Sequence, residues 1–248
     1  MFVRKDSYQM VKAVSKSKRR IATVSFSGID GAGKSTQIRE LASYFRHQGL
    51  RVSVVAFWDE IASLTNLREN AGHRIFKGEK GVGSPEAPVN RRDKNVRSWP
   101  MSCVRLLLYM LDAFSTRRAM RAALRSSVDF LIFDRYIYDE LANLNLRNPL
   151  MRAYARLIMK IVPRPGVSFV LDADPFQARA RKPEYPLEFI RLNRQSYLDL
   201  ARLLGEITVI PPMPIDDVQR EILYHALRAL SGSVAERCSE PVALQKVS

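Results

Sequence analysis

The chain has 248 residues, 46% of them hydrophobic, which is enough for one substantial core, so a single α/β domain is the natural count. No apolar run approaches the roughly 18 residues needed to span a bilayer, which excludes a membrane-spanning helix. Forty Lys and Arg against 25 Asp and Glu give a formal charge of +15, suited to partners that carry phosphate.

Residues 1–20 hold Arg4, Lys5, Lys12, Lys16, Lys18, Arg19 and Arg20 without a continuous apolar core. They are expected to form a mobile basic arm and not a secretory signal. A β-branched strand, Ile21 to Phe26, leads into Ser27-Gly28-Ile29-Asp30-Gly31-Ala32-Gly33-Lys34-Ser35-Thr36, and a helical pattern runs from Gln37 to His47. The spacing G-x-x-x-x-G-K-S between a strand and a helix is that of a phosphate-binding loop. Glycines turn it tightly, consecutive N–H groups make an anion cradle, and the helix adds partial positive charge. Gly28, Ile29, Asp30, Gly31, Ala32, Gly33, Lys34, Ser35 and Thr36 are therefore expected to bind ATP, with Lys34 reaching the β- and γ-phosphates.

Val52 to Trp58 reads as a second strand, followed by a short helix around Ile61 to Ala71. Glycines and prolines make 77–100 a long loop. Met101 to Ser126 reads as a long helix with Leu106, Leu107, Met110, Leu111, Phe114, Met120 and Leu124 in one stripe. Asp129 to Asp134 is a third strand, apolar on both faces as a parallel interior strand should be. Helices are expected at Tyr138 to Asn145 and Pro149 to Val162, strands at Val167 to Asp172 and Ile207 to Ile210, and helices at Pro186 to Gly205 and Ile215 to Leu230, with 232–248 as a frayed tail. This alternation predicts a five-stranded parallel sheet with helices on both faces, the P-loop NTPase architecture, over residues 21–231. Cys103 and Cys238 lie in no metal spacing, and His47, His73 and His225 are scattered, which suits a reduced cytoplasmic protein without structural metal.

Parallel sheets bind ligands beyond the carboxyl ends of their strands. The third strand ends there in Asp134-Arg135-Tyr136. Asp134 is thus expected near Ser35, the two holding Mg²⁺, and Arg135 is expected to meet a phosphate on the acceptor. A structural ion pair capping the strand is the alternative. Trp58 ends a strand at the same edge, and Asp139 with Asn143 could read a base or sugar by hydrogen bonding.

Phe26 to Gln37 resembles the phosphate loop of thymidylate kinases, and Phe133-Asp134-Arg135-Tyr136 resembles their Asp-Arg-Tyr motif. Leu171 to Ala201 and Ile215 to Leu223 are similar to their later elements. The resemblance implies a nucleoside monophosphate kinase that moves the γ-phosphoryl of ATP to a monophosphate, dTMP in the first instance. It implies that Asp30 bonds the acceptor's sugar, that Tyr136 lies on the acceptor side, and that residues 174–186 form a lid. Gly31 stands where some relatives have arginine, so the charge facing the moving phosphoryl is assigned to Arg179 and Arg181. Catalytic roles thus fall to Lys34, Asp134, Arg179 and Arg181. The acceptor side departs from the family. Trp58-Asp59-Glu60 replaces an Arg-Glu-Pro-Gly-Gly-Thr loop, and Asp139, Asn143 and Leu144 stand at its Ser, Tyr and Gln positions. Another nucleotide, a nucleoside or a sugar phosphate is therefore a second reading of the acceptor, and an ATP-dependent nucleic-acid-associated switch a third. The expected partners are ATP and a small phosphorylated acceptor, with neither nucleic acid nor membrane. The long helix resembles one that packs dimers in this family and so points to a homodimer.

Overall fold

The computed structural model describes residues 21–57, 99–125 and 127–238. The expected arm, Trp58, the helix near Ile61, and the 77–100 loop up to residue 98 lie outside them. The strands are β1 (Ala22–Ser27), β2 (Val52–Ala56), β3 (Phe130–Asp134), β4 (Val167–Leu171) and β5 (Thr208–Ile210). They form one parallel sheet in the order β2-β3-β1-β4-β5. The helices among the described residues are α1 (Lys34–His47), α2 (Trp99–Arg125), α3 (Ile137–Leu141), α4 (Pro149–Ile161), α5 (Pro175–Arg181), α6 (Leu187–Leu204) and α7 (Ile215–Cys238).

Alternation along each strand splits the core into two layers. Val24 and Phe26 of β1, with Phe130 and Ile132 of β3, pack on Phe45 and Leu41 of α1 and Ala226 of α7. Leu131 and Phe133 of β3, with Val170 of β4, face the layer of α2, α3, α4 and α6. The second face of β1 is polar. Thr23, Ser25 and Ser27 are all buried there, and Ser27 Oγ donates to Asp139 Oδ2 at 2.6 Å. Polar groups at the centre of a core are costly unless bonded; Thr23 Oγ1 accepts from the Gly166 N–H at 2.9 Å, Ser25 Oγ has no partner among the described residues, and only Ser27 reaches the strand-end cluster.

Two expectations change. The single apolar stripe of α2 is split: Tyr109, Ala113 and Met120 face the core, whereas Val104, Leu107, Leu111 and Phe114 are 50%, 62%, 38% and 55% exposed. Leu107 and Leu111 sit on the opposite side from Tyr109 and Ala113, so a helix with apolar residues all round gives no unique face from its pattern. The last helix also runs past Leu230 to Cys238, into the expected tail.

Candidate active site

Gly28, at φ 134°, turns the chain out of β1, where a Cβ would lie 2.5 Å from the Leu171 carbonyl of β4. The loop then coils round its own lysine. Lys34 is 7% exposed and donates to the Gly28 and Ile29 carbonyls, both at 2.8 Å. Burial lowers the affinity of its ammonium for the proton and Arg135 adds to this, against Asp139, Asp30 and Asp134, leaving a pKa of about 8. Gly33 takes the N-cap position of α1, Ser35 is exposed in the first turn, and Thr36 is half-buried.

The short helix α5 lies directly on this loop. Asp174 caps it by accepting from the N–H groups of Phe176 and Gln177, and Pro175 fills the first turn. Arg181 Nη1 then donates to the Gly31 carbonyl at 3.0 Å. At Gly31, φ is +80° and a Cβ would stand 2.2 Å from the Ala178 carbonyl, so no side chain fits while α5 is docked. The bare position in the loop therefore has a steric cause. Gly31→Ala should separate α5 from the loop. We expect a melting temperature lower by about 4–8 °C, from a left-handed penalty of ~2 kcal/mol, and weaker ATP binding by titration calorimetry. Arg179 is half-buried on the same helix, and its Nε makes no hydrogen bond among the described residues.

The end of β3 supplies the other half. Phe26 of β1 pairs with Asp134, which puts that carboxylate beside the root of the loop. Arg135 follows at φ 69°, a left-handed conformation that costs a non-glycine residue on the order of 1–2 kcal/mol. Its N–H bonds the Phe26 carbonyl at 2.9 Å, and its guanidinium spans two carboxylates, Asp30 at 2.6 Å and Asp139 at 3.0 Å. Burial works against its charge, but Asp139, Tyr197 and Asp30 overcome this and raise its pKa. Asp30 shows the counterpart: burial would raise its carboxyl, yet Arg135, Lys34 and Lys182 hold it below the usual range. Lys182 approaches Asp30 at 4.0 Å and pairs with Glu184 at 3.2 Å.

Behind Arg135, Asp139 is 3% exposed. Its Oδ2 accepts from Ser27 Oγ at 2.6 Å and from the Tyr136 N–H at 3.2 Å, and its Oδ1 from Arg135 and, at 2.7 Å, from the Tyr197 hydroxyl of α6. Burial drives the Tyr197 hydroxyl pKa well up. At the end of β4, Asp172 holds Arg194 through two bonds of 2.5 and 2.7 Å, fixing α6 to the sheet.

Several known proteins are similar to this chain. The family model of the methylmalonyl Co-A mutase-associated GTPase MeaB matches residues 3–62, less than half of the chain. A solved thymidylate kinase from Ehrlichia chaffeensis is similar at a TM-score of 0.49 and 20% identity, over 82% of this chain and 96% of that one. A probable thymidylate kinase of Methanosphaera stadtmanae is 24% identical over 82% of this chain and 96% of its own length. The thymidylate kinase of Symbiobacterium thermophilum is 30% identical, over 72% of this chain and 79% of its own. The chain belongs to the thymidylate kinase family.

As a thymidylate kinase relative it draws together Lys34, Asp30, Asp134, Arg135 and Arg181, and it carries Arg179 on the helix docked there. The residues expected on the acceptor side lie differently. Tyr136 is fully buried and its hydroxyl donates to the Pro163 carbonyl at 2.5 Å, so it ties β3 to the loop after α4. Asp139 already accepts four hydrogen bonds and faces inward, because every residue of α3 is buried. Asn143 turns back to bond the Asp139 carbonyl at 3.1 Å. These three support the site from within, where direct contact with an acceptor was expected. Sequence reasoning passed over Tyr197 and Ser27 as partners of Asp139; they meet it across 58 and 112 positions, which no local spacing signals.

Proposed function

We propose that this chain transfers the γ-phosphoryl group of ATP to the phosphate of a nucleoside monophosphate, with dTMP as the foremost acceptor. The reading rests on one observation: a phosphate loop closed around Lys34, with Arg135 presented from the neighbouring strand end and α5 seated on the loop. The loop N–H groups and Lys34 hold the triphosphate tail. Arg135 leaves Asp30 for the acceptor phosphate, and Asp30 is then free to accept from the acceptor's sugar. An oxygen of that phosphate attacks the γ-phosphorus as the bond to the β-bridging oxygen breaks, giving a diphosphate and ADP. The nucleophile is already anionic, so no general base is required, and positioning and electrostatics carry the catalysis. Arg179 and Arg181 neutralise charge on the moving group; Arg181 is already within reach of the loop.

The donor set beside the loop suits Mg²⁺. The Ser35 hydroxyl is exposed and the Asp134 carboxylate ends the adjacent strand; an ion that keeps water and phosphate oxygens as its other ligands needs no more from the protein. Among the described residues no group of three His, Cys, Asp or Glu forms a cage for a resident metal. Bound with ATP, the ion would neutralise the β- and γ-oxygens. The catalytic unit is residues 21–231, with a lid at about 174–186, and its soluble substrates suit a cytoplasmic setting.

The test is ADP release from ATP and Mg²⁺ against a panel of monophosphates, nucleosides and polynucleotides. Stimulation by dTMP supports the reading. Stimulation by another small acceptor keeps the phosphotransferase and changes its substrate, and stimulation by polynucleotide alone or by nothing rejects it.

The exposed stripe Val104, Leu107 and Leu111 on α2 supports a homodimer, since apolar residues at that spacing match a helix-to-helix seam. Leu107→Glu should convert the dimer to a monomer by light scattering after size exclusion. A wild-type chain that is monomeric at micromolar concentration would end that part of the reading.

A further inference from the structure

Asp30 stands between the two halves of the site, and cations from two different elements meet one oxygen of its carboxylate. Arg135, from the end of β3, lies 2.6 Å from Oδ1, and Lys182, from the end of α5, lies 4.0 Å from it. Lys182 has a second carboxylate at hand, Glu184 at 3.2 Å, and rests on this nearer one. The backbone around the lysine is fixed on both sides. The Lys182 N–H donates at 3.0 Å to the Ala178 carbonyl that covers Gly31, and Arg181 bonds the carbonyl of the same glycine. Glu184 precedes Tyr185, which is buried and packs on the Phe189 ring of α6 at 4.9 Å. The Lys182 side chain is a flexible stem, 46% exposed, and can swing between the two anions.

We propose that Lys182 is a positioning residue that changes partner, from Glu184 to Asp30, when the acceptor phosphate draws Arg135 away, and that this exchange makes acceptor and ATP bind cooperatively. The exchange rests on the phosphotransferase reading, in which Arg135 serves that phosphate.

The Asp30 side chain is 23% exposed, and Arg135, Lys34 and Lys182 together hold its carboxyl below the usual range. A largely buried carboxylate that loses its nearest cation is costly to leave unpaired. The ammonium at 4.0 Å needs to move only about 1 Å to reach charge-assisted hydrogen-bond distance. The departure of Arg135 also removes a like charge from its way. Each carboxylate oxygen carries two lone pairs, so Asp30 has room for this bond and for a sugar hydroxyl. The move draws the end of α5 down on the loop, where Ala178 and Arg181 already touch Gly31, and sets Arg179 and Arg181 against the triphosphate. Glu184 gives up its partner in the exchange, which keeps the coupling small.

The full-length protein with Mg²⁺ is titrated by calorimetry with the non-hydrolysable analogue adenylyl imidodiphosphate, without and with saturating dTMP (or the panel monophosphate that stimulates ADP release). The reverse titration must give the same factor, as linkage demands. Wild type should bind the analogue roughly fivefold tighter with the monophosphate present, the low end of couplings between sites. Lys182→Met keeps most of the stem and removes the charge, so the coupling should vanish while each ligand alone binds with little change. Glu184→Gln should act in the opposite sense: Lys182 reaches Asp30 before the monophosphate arrives, the analogue alone binds tighter, and the monophosphate adds less. A lysine with a merely structural role would lower the melting temperature on substitution and leave the ratio as it was.

Full coupling in Lys182→Met, no coupling in the wild type with both ligands bound, or an unaltered Glu184→Gln protein would each overturn the exchange. Weaker monophosphate binding by Lys182→Met with no analogue present would make the lysine a ligand of the acceptor phosphate, and overturn it as well. A wild type that binds the analogue and no acceptor of the panel is a different failure, because it removes the phosphotransferase reading and the exchange together.

Discussion

Lys34→Ala is expected to lower kcat by at least about 10²–10³-fold in the coupled assay, with the KM for the acceptor little changed. The ammonium is the cation held inside the loop itself, and removing one preorganised group that faces developing charge costs on the order of 3–4 kcal/mol in a site closed to water. The fold should survive. The Lys34 side chain is buried with its pKa lowered to about 8, so its charge is a burden on the protein without nucleotide, and alanine removes that burden together with two bonds to the Gly28 and Ile29 carbonyls. These effects oppose each other, and we expect the melting temperature to move by less than about 4 °C, equivalent to ~1 kcal/mol. Full activity in a purified, folded Lys34→Ala protein would remove the phosphate loop from the chemistry.

The phosphate loop and the sheet were legible because their signals are local. Gly28 and Gly33 stand at a fixed spacing before Lys34, and each strand is a short apolar run bounded by turn residues. The helix α5 was not among the expected elements, which had 174–186 as a lid, although Asp174 before Pro175 is an N-cap with a first-turn proline and the seven residues that follow are helical. What could not be read was which groups meet. Asp139 was read as a residue that would touch an acceptor, from its place near a strand end. Arg135 pairs with Asp139 four residues on, a contact not drawn from the sequence, and the direction of α3 is set by Ile137, Tyr138 and Leu141, all buried, which turn Asp139 inward. Gly31 carries the same lesson. Its lack of a side chain was visible, and the reason for it, the Ala178 carbonyl of a helix about 150 positions away, exists only in the fold. On α2 both faces are apolar, so periodicity alone could not say which one the core would take.

Asp139→Asn tests whether Arg135 is aimed from behind. The carboxylate takes two donors on each oxygen, and an amide of the same shape can satisfy only one side of that set. The Ser27 hydroxyl can rotate to accept from the new NH₂, so the amide oxygen is expected to stay toward Arg135 and Tyr197. The buried Tyr136 N–H then loses its acceptor, and Arg135 loses one of its two anionic partners. An unmet buried donor costs about 1–3 kcal/mol, and the weakened pair with the partly buried Arg135 adds to it. A loss of about 2–4 kcal/mol corresponds to a melting temperature lower by roughly 4–16 °C for a chain of this size. Stability alone would not separate a supporting role from a positioning one, so kinetics must decide. If Asp139 holds the guanidinium where the acceptor phosphate arrives, the KM for the monophosphate rises about tenfold while the KM for ATP is unchanged. Tyr197→Phe, which removes a single bond to the same oxygen, should give a smaller shift in the same direction. Equal effects on both substrates would instead mean that the variant loosens the whole sheet edge. Arg135 would then owe its left-handed backbone to the Phe26 and Asp30 contacts alone.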